Sequence, residues 1–178
     1  MELDVKLNKD LSDKDKDLIN KNRIKEFGNN ERKDFDIDYE PETKWFFLKD
    51  KGKVVAFTGL RPIVITYLGN RYEICGICSF ISMIKGKGYG RELVSRIIEY
   101  SKRTEKTLLG FTGKTEFFGK AGLETKKEFI KRFVYVSPKT KERVIDTDGD
   151  GIFYRGSDGF IDKVLSTNKV VEISVLHW

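Results

Sequence analysis

The run Lys85-Gly86-Lys87-Gly88-Tyr89-Gly90-Arg91 constrains this chain more than any other stretch. Arg71 to Met83, before it, is largely apolar and reads as a strand. Arg91 to Lys102, after it, carries Leu93, Val94, Ile97, Ile98 and Tyr100 at helical spacing. A strand that turns into a helix through three glycines leaves backbone N–H groups unshielded by side chains. Those groups, with the positive dipole end of the helix, attract an anion. Lys85, Lys87 and Arg91 add full charges beside them. The spacing is G-x-G-x-G, not the G-x-G-x-x-G of a dinucleotide fold, and no G-x-x-x-x-G-K-[ST] loop is present. Taken alone, the run reads as a phosphate cradle or as a solvated basic loop.

The run resembles the acyl-coenzyme A signature [QR]-x-x-G-x-[GA] of the GNAT superfamily of N-acetyltransferases. Lys85 stands at the Gln/Arg position, and Gly88 and Gly90 at the glycines. Further on, Phe117-Phe118-Gly119-Lys120-Ala121-Gly122-Leu123 is similar to the superfamily's second motif, F-Y-x-K-x-G-F. There a short helix ends on a glycine suited to a left-handed cap. The resemblance covers about Trp45 to Phe133.

The resemblance implies an α/β (α+β) GNAT fold. Its central sheet would be mixed and mostly antiparallel, with about seven strands, splayed at the cofactor site and flanked by helices. Extra strands would follow from about 139 to 178, all in one domain. The implied cofactor is acetyl-CoA. Its pantetheine arm would pair with the backbone of Phe80, Ile81, Ser82 and Met83 like an added strand. Its diphosphate would lie over Lys85, Gly86, Lys87, Gly88, Tyr89, Gly90 and Arg91. Phe117, Phe118 and Lys120 would flank the thioester end.

Acetyl transfer requires a deprotonated amine, a polarised thioester carbonyl and stabilisation of the leaving thiolate. Direct attack needs no covalent enzyme intermediate, so Cys78 and Ser79 are not read as nucleophiles. Candidate catalytic groups are Glu73 as base, Ser79, Tyr135 and the C-terminal carboxylate of Trp178. Glu73 reads more readily as an exposed strand carboxylate. Phe118 stands where many members carry tyrosine and cannot donate a proton. Tyr89, Tyr135 or Tyr154 could serve instead, or the thiolate leaves unassisted.

The C-terminal part is also similar to aminoglycoside 2'-N-acetyltransferases. Asp146 to Gly151 leads into Ile152-Phe153-Tyr154, the sequence closes on His177-Trp178, and the Gly69-Asn70 turn and Cys75-Gly76 are alike. Ser79 or Gly76 falls where those enzymes carry a glutamate. The implied substrate-binding groups are Asp34, Asp36, Asp150 and Trp178, suited to a small cationic amine. Alternatives are a protein or aminoacyl-tRNA acceptor, or a non-catalytic acyl-CoA-binding module.

Composition bounds these readings. With 39% hydrophobic and 12% aromatic residues, 178 residues can bury a core. The net charge of +6 does not by itself favour nucleic acid over an anionic cofactor. No apolar run reaches membrane-span length, and the first residues lack a signal-peptide pattern. With only two cysteines, a cytoplasmic setting is expected. Cys75-Gly76-Ile77-Cys78 is not read as a redox or zinc motif, because strand positions three apart point to opposite faces. Asp146 to Gly151 matches the start of an EF-hand loop, but Ser157 holds the twelfth position, and a tight turn explains it as well. No metal is expected. A homodimer is compatible with the superfamily, but no residue specifies an interface.

Further elements read from the pattern are a strand over Leu3 to Leu7 and a helix opened by Ser12 and ended by Gly28. Strands follow over Trp45–Lys49, Val54–Thr66 and Thr107–Thr112, then a short helix near Thr115 to Lys120. Lys126 to Ser137 reads as one strand, with further apolar stretches at Val144-Ile145, Ile152 to Tyr154 and Lys169 to Leu176.

Overall fold

The computed structural model describes residues 1–147 and 149–175. The chain runs β1 (Glu2–Leu7), α1 (Asp13–Phe27), α2 (Phe35–Asp38), β2 (Lys44–Asp50), β3 (Lys53–Tyr67) and β4 (Asn70–Ser82). It continues through α3 (Tyr89–Thr104), β5 (Leu108–Thr112), α4 (Thr115–Lys120), β6 (Glu124–Lys126) and β7 (Phe133–Val136). Last come β8 (Arg143–Ile145), β9 (Asp150–Tyr154), α5 (Phe160–Leu165) and β10 (Val171–Ile173). Seven strands form one sheet in the order β1-β2-β3-β4-β5-β9-β6, and β10-β7-β8 form a second. β1–β2, β2–β3, β5–β9 and β6–β9 pair antiparallel. β4 and β5 pair parallel at Cys75↔Leu108 and Gly76↔Leu109. The mixed, mostly antiparallel sheet with helices is the expected architecture.

Two hairpins set the register of the central strands. Asp50 faces Lys53 across Lys51-Gly52, and Leu68-Gly69 joins β3 to β4. All four loop residues have positive φ, as type I′ turns require.

The chain divides into two compact units, residues 1–62 with 77–93, and residues 63–76 with the chain from Val94 onward. In the first, Trp45, Phe46, Phe47, Leu48 and Phe57 of the sheet and Ile19 of α1 are almost wholly buried. A capping box starts α1. The Ser12 hydroxyl accepts the Asp15 N–H, and the Asp15 carboxylate accepts the Ser12 N–H at 3.0 Å. In the second unit, Ile63, Ile65, Tyr72, Leu109, Phe133, Phe153 and Phe160 are among the residues of one buried cluster.

Two expectations are corrected. Lys126 to Ser137 is not one strand. β6 stops at Lys126, a 3-10 turn covers Phe129–Arg132, and β7 follows. Glu128 adopts φ 54, which breaks the extended run, and its N–H donates to Asp150. The second correction is α5, which has no counterpart in the sequence reading. Its six residues are too few to display a helical period.

Candidate functional site

β4 ends at Ser82 and α3 begins at Tyr89, so the glycine-rich run is the turn between them. Gly86 and Gly88 have φ of 76° and 78°. A Cβ on either would meet nothing within 4 Å, so the backbone angle, not crowding, calls for glycine. The Gly88 carbonyl accepts the Glu92 N–H at 3.0 Å, which makes Gly88 the N-cap of α3. Ser or Asp at that position would satisfy the second or third helix amide with its own side chain. Glycine cannot, and among the described residues no protein acceptor takes the N–H of Tyr89, Gly90 or Arg91. Lys87 and Arg91 are exposed, with no carboxylate partner among the described residues. Lys85 lies 3.3 Å from Glu26. The Tyr89 hydroxyl donates to Asp50 at 2.6 Å, which raises its pKa and keeps it protonated. This geometry suits an anion: bare amides, a helix N-terminus and two free cations.

Just upstream, β4 carries a polar cluster that is buried. Ser79, 8% exposed, adopts φ 50, a left-handed conformation within a strand. Arg23 of α1 donates through Nη1 to Ser79 Oγ, and the Tyr39 hydroxyl lies 3.3 Å from the same oxygen. Arg23 also donates to the Glu31 carbonyl at 3.0 Å and to its carboxylate at 2.8 Å. Arg61 of β3 forms a bidentate pair with Glu40 at 3.0 and 2.8 Å, its guanidinium 5.4 Å from the Tyr39 ring centre. Burial drives the Tyr39 phenol far above its ordinary pKa, so it stays protonated. Burial likewise pushes the Cys78 thiol up to about 12, which leaves it unreactive. The one local signal of this cluster in the sequence is Arg23, a cation four residues after Ile19 on the apolar stripe of α1.

The other predicted residues lie as follows. Phe80 and Ser82 are half-buried at the end of β4, Ile81 is buried, and the Met83 N–H donates to the Val55 carbonyl at 2.9 Å. Asp34 caps α2 by accepting the Asp36 N–H at 3.0 Å, and Asp36 is exposed, 3.4 Å from Lys16. In the second unit, Phe117 is exposed and Phe118 buried on α4, where Lys120 pairs with Glu116. The Leu123 and Gly122 N–H groups donate to the Phe118 and Gly119 carbonyls, the paired bonds of a Schellman cap. Tyr135 sits half-buried on β7 opposite Val144. The Asp150 carboxylate accepts the Glu128 N–H at 2.7 Å.

Glu73 lies near the opposite end of β4 from the turn. It is exposed, on a cavity of about 460 Å³ shared with Arg71, Lys106 and Lys163. Hydrogen bonds and charge from Lys106 and Arg71 hold its carboxyl below the usual range. Trp178 and Asp148, one ligand position of the loop at Asp146, lie outside the described residues.

Residues 15–118, more than half of the chain, match the profile of the Acetyltransferase (GNAT) family. The chain belongs to that family and is an acyltransferase, and the family's acyl donor is acetyl-CoA. Solved structures share the fold. An acyl-CoA N-acyltransferase from Pseudomonas aeruginosa is 16% identical, with a TM-score of 0.54 over 86% of this chain and 97% of that one. ElaA of Escherichia coli is 16% identical, with a TM-score of 0.55 over 87% and 100%. YhbS of Escherichia coli, solved in complex with CoA, is 13% identical, with a TM-score of 0.55 over 96% and 89%. No curated protein matches the sequence. Among the described residues, no helix is long and apolar enough to cross a membrane.

Proposed function

We propose that the chain transfers an acetyl group from acetyl-CoA to a small primary amine, with the diphosphate held at Lys85 to Arg91. The observation that carries this reading is the set of uncapped amides on Tyr89, Gly90 and Arg91, beside unpaired Lys87 and Arg91. The amine nitrogen attacks the thioester carbonyl carbon and forms the C–N bond. The C–S bond breaks, the amine gives up one proton, and the thiolate leaves as CoA and takes one up. The backbone of Phe80 to Met83 pairs with the pantetheine arm, and an N–H there other than that of Met83, which the Val55 carbonyl takes, polarises the thioester carbonyl. Phe118 cannot protonate the thiolate, and the Tyr89 hydroxyl is committed to Asp50. The thiolate therefore leaves unassisted or takes its proton from another group.

The resemblance of the C-terminal part to aminoglycoside 2'-N-acetyltransferases and the acidic run Asp34 to Glu42 favour an aminosugar or polyamine. The net charge of +6 keeps a protein or aminoacyl-tRNA acceptor as the second reading. Titration calorimetry with acetyl-CoA, followed by a free-thiol assay against aminoglycosides, polyamines and peptides, tests both. No binding of acetyl-CoA refutes the cofactor site, and turnover with peptides alone refutes the small-amine acceptor.

A further inference from the structure

We infer that Arg23 and Tyr39 form a clamp on Ser79 that holds the left-handed kink of β4, and so aims the backbone that follows it. The inference rests on the proposed acetyl-CoA site. Ser79 is the one described residue of β4 with positive φ. Serine has no intrinsic preference for that conformation, so the surroundings must impose it. Here they do so through the side chain. Arg23 occupies one lone pair of Ser79 Oγ, and the Tyr39 hydroxyl shares the remaining hydrogen-bonding capacity. Both partners are themselves buried and held by further contacts. Arg23 is 7% exposed, and its Nε and Nη2 are fixed by Glu31. Tyr39 is 6% exposed, packed edge-on against Trp45 at 5.1 Å and under the Arg61 guanidinium.

The strand on the C-terminal side of Ser79 is Phe80 to Ser82, the segment assigned to the acyl-pantetheine arm. A residue in this conformation rotates the peptide planes on either side of it out of the regular ladder. The φ and ψ of Ser79 therefore decide where the next N–H points. Arg23, Tyr39 and Ser79 are positioning residues: they act on the thioester through the backbone and do not touch it.

Glycine adopts this conformation unaided, which gives the test its logic. [1-13C]Acetyl-CoA is bound to wild type and to Ser79→Ala, Ser79→Gly, Tyr39→Phe, Arg23→Met and the Ser79→Gly/Arg23→Met double variant. The carbonyl 13C shift on binding reports its polarisation, calorimetry reports affinity, and circular dichroism reports folding. The clamp predicts a downfield shift in wild type, retained in Ser79→Gly and reduced by half or more in Ser79→Ala and Tyr39→Phe. It also predicts that Arg23→Met adds no loss in the glycine background. Equal losses in Ser79→Gly and Ser79→Ala, or a wild-type shift in both Ser79→Ala and Tyr39→Phe, overturn it. If Arg23→Met does not fold, Tyr39→Phe and the serine pair decide. Wild type that binds no acetyl-CoA overturns the underlying site and the clamp together, whereas binding with unaltered shifts in the variants overturns the clamp alone.

Discussion

Gly88→Val separates a cradle for diphosphate from a solvated loop. Gly88 has φ 78°, and a side chain there is strained whatever the space around it. The left-handed conformation costs an L-residue about 1–2 kcal/mol. No crowding adds to that in the free protein, because a Cβ meets nothing within 4 Å. For a chain of this size the melting temperature should then fall by about 2–8 °C. The effect on cofactor is separate and larger. Relaxation of Gly88 out of φ 78°, or a branched side chain above the amides of Gly90 and Arg91, removes at least one N–H to phosphate hydrogen bond. Such a bond contributes about 1.5–3 kcal/mol, which is about 10–150-fold in Kd. Calorimetry with CoA and thermal unfolding, on Gly88→Val and Gly88→Ala, measure the two effects independently. A valine variant with the lowered melting temperature but a CoA Kd within about twofold of wild type would refute the reasoning.

Arg91→Ala removes an exposed cation that has no protein partner among the described residues. It should weaken CoA binding about 3–10-fold and flatten the salt dependence, with stability unchanged within about 0.5 kcal/mol, read by calorimetry at several ionic strengths. Burial alone would raise the Glu40 carboxyl, but hydrogen bonds and charge from Arg61 outweigh it and hold the group below its ordinary 4.5. This pairing stabilises the fold above pH 4.5 and is lost as pH falls through the depressed value. Glu40→Gln should therefore cost about 2 kcal/mol near neutral pH, discounted for the partly exposed carboxylate, and the gap to wild type should narrow as pH falls below 4.5. Urea unfolding across that range measures it. Ser12→Ala removes the α1 capping box and should cost about 1 kcal/mol, seen as a lower urea midpoint with unchanged slope.

The features legible in the sequence were those written in local chemistry. Ser12 and Asp15 announce the start of α1, Lys51-Gly52 and Gly69 mark the hairpins, and Gly122 marks the end of α4. The glycine-rich turn was legible because its requirement, positive φ, is met without strain by glycine. The Arg23–Ser79–Tyr39 cluster was not, because its members stand 16 to 56 residues apart and meet only through packing of α1, β4 and the segment around α2. The strand read over Lys126 to Ser137 failed because alternation of Phe129, Lys131, Phe133 and Tyr135 fits both an extended run and the 3-10 turn that buries Phe129 and Ile130. Glu73 illustrates the converse limit. Its place on β4 was clear, but Lys106, which neutralises it together with Arg71, comes from far along the chain.

The central claim is that the bare amides at the start of α3 hold the diphosphate of CoA. Titrating CoA into 15N-labelled protein tests it directly, with the backbone resonances of residues 87–91 as the readout. The account predicts saturable movement of the Tyr89, Gly90 and Arg91 amides, larger than elsewhere in the chain. Saturable binding of CoA with those three resonances unmoved would contradict it.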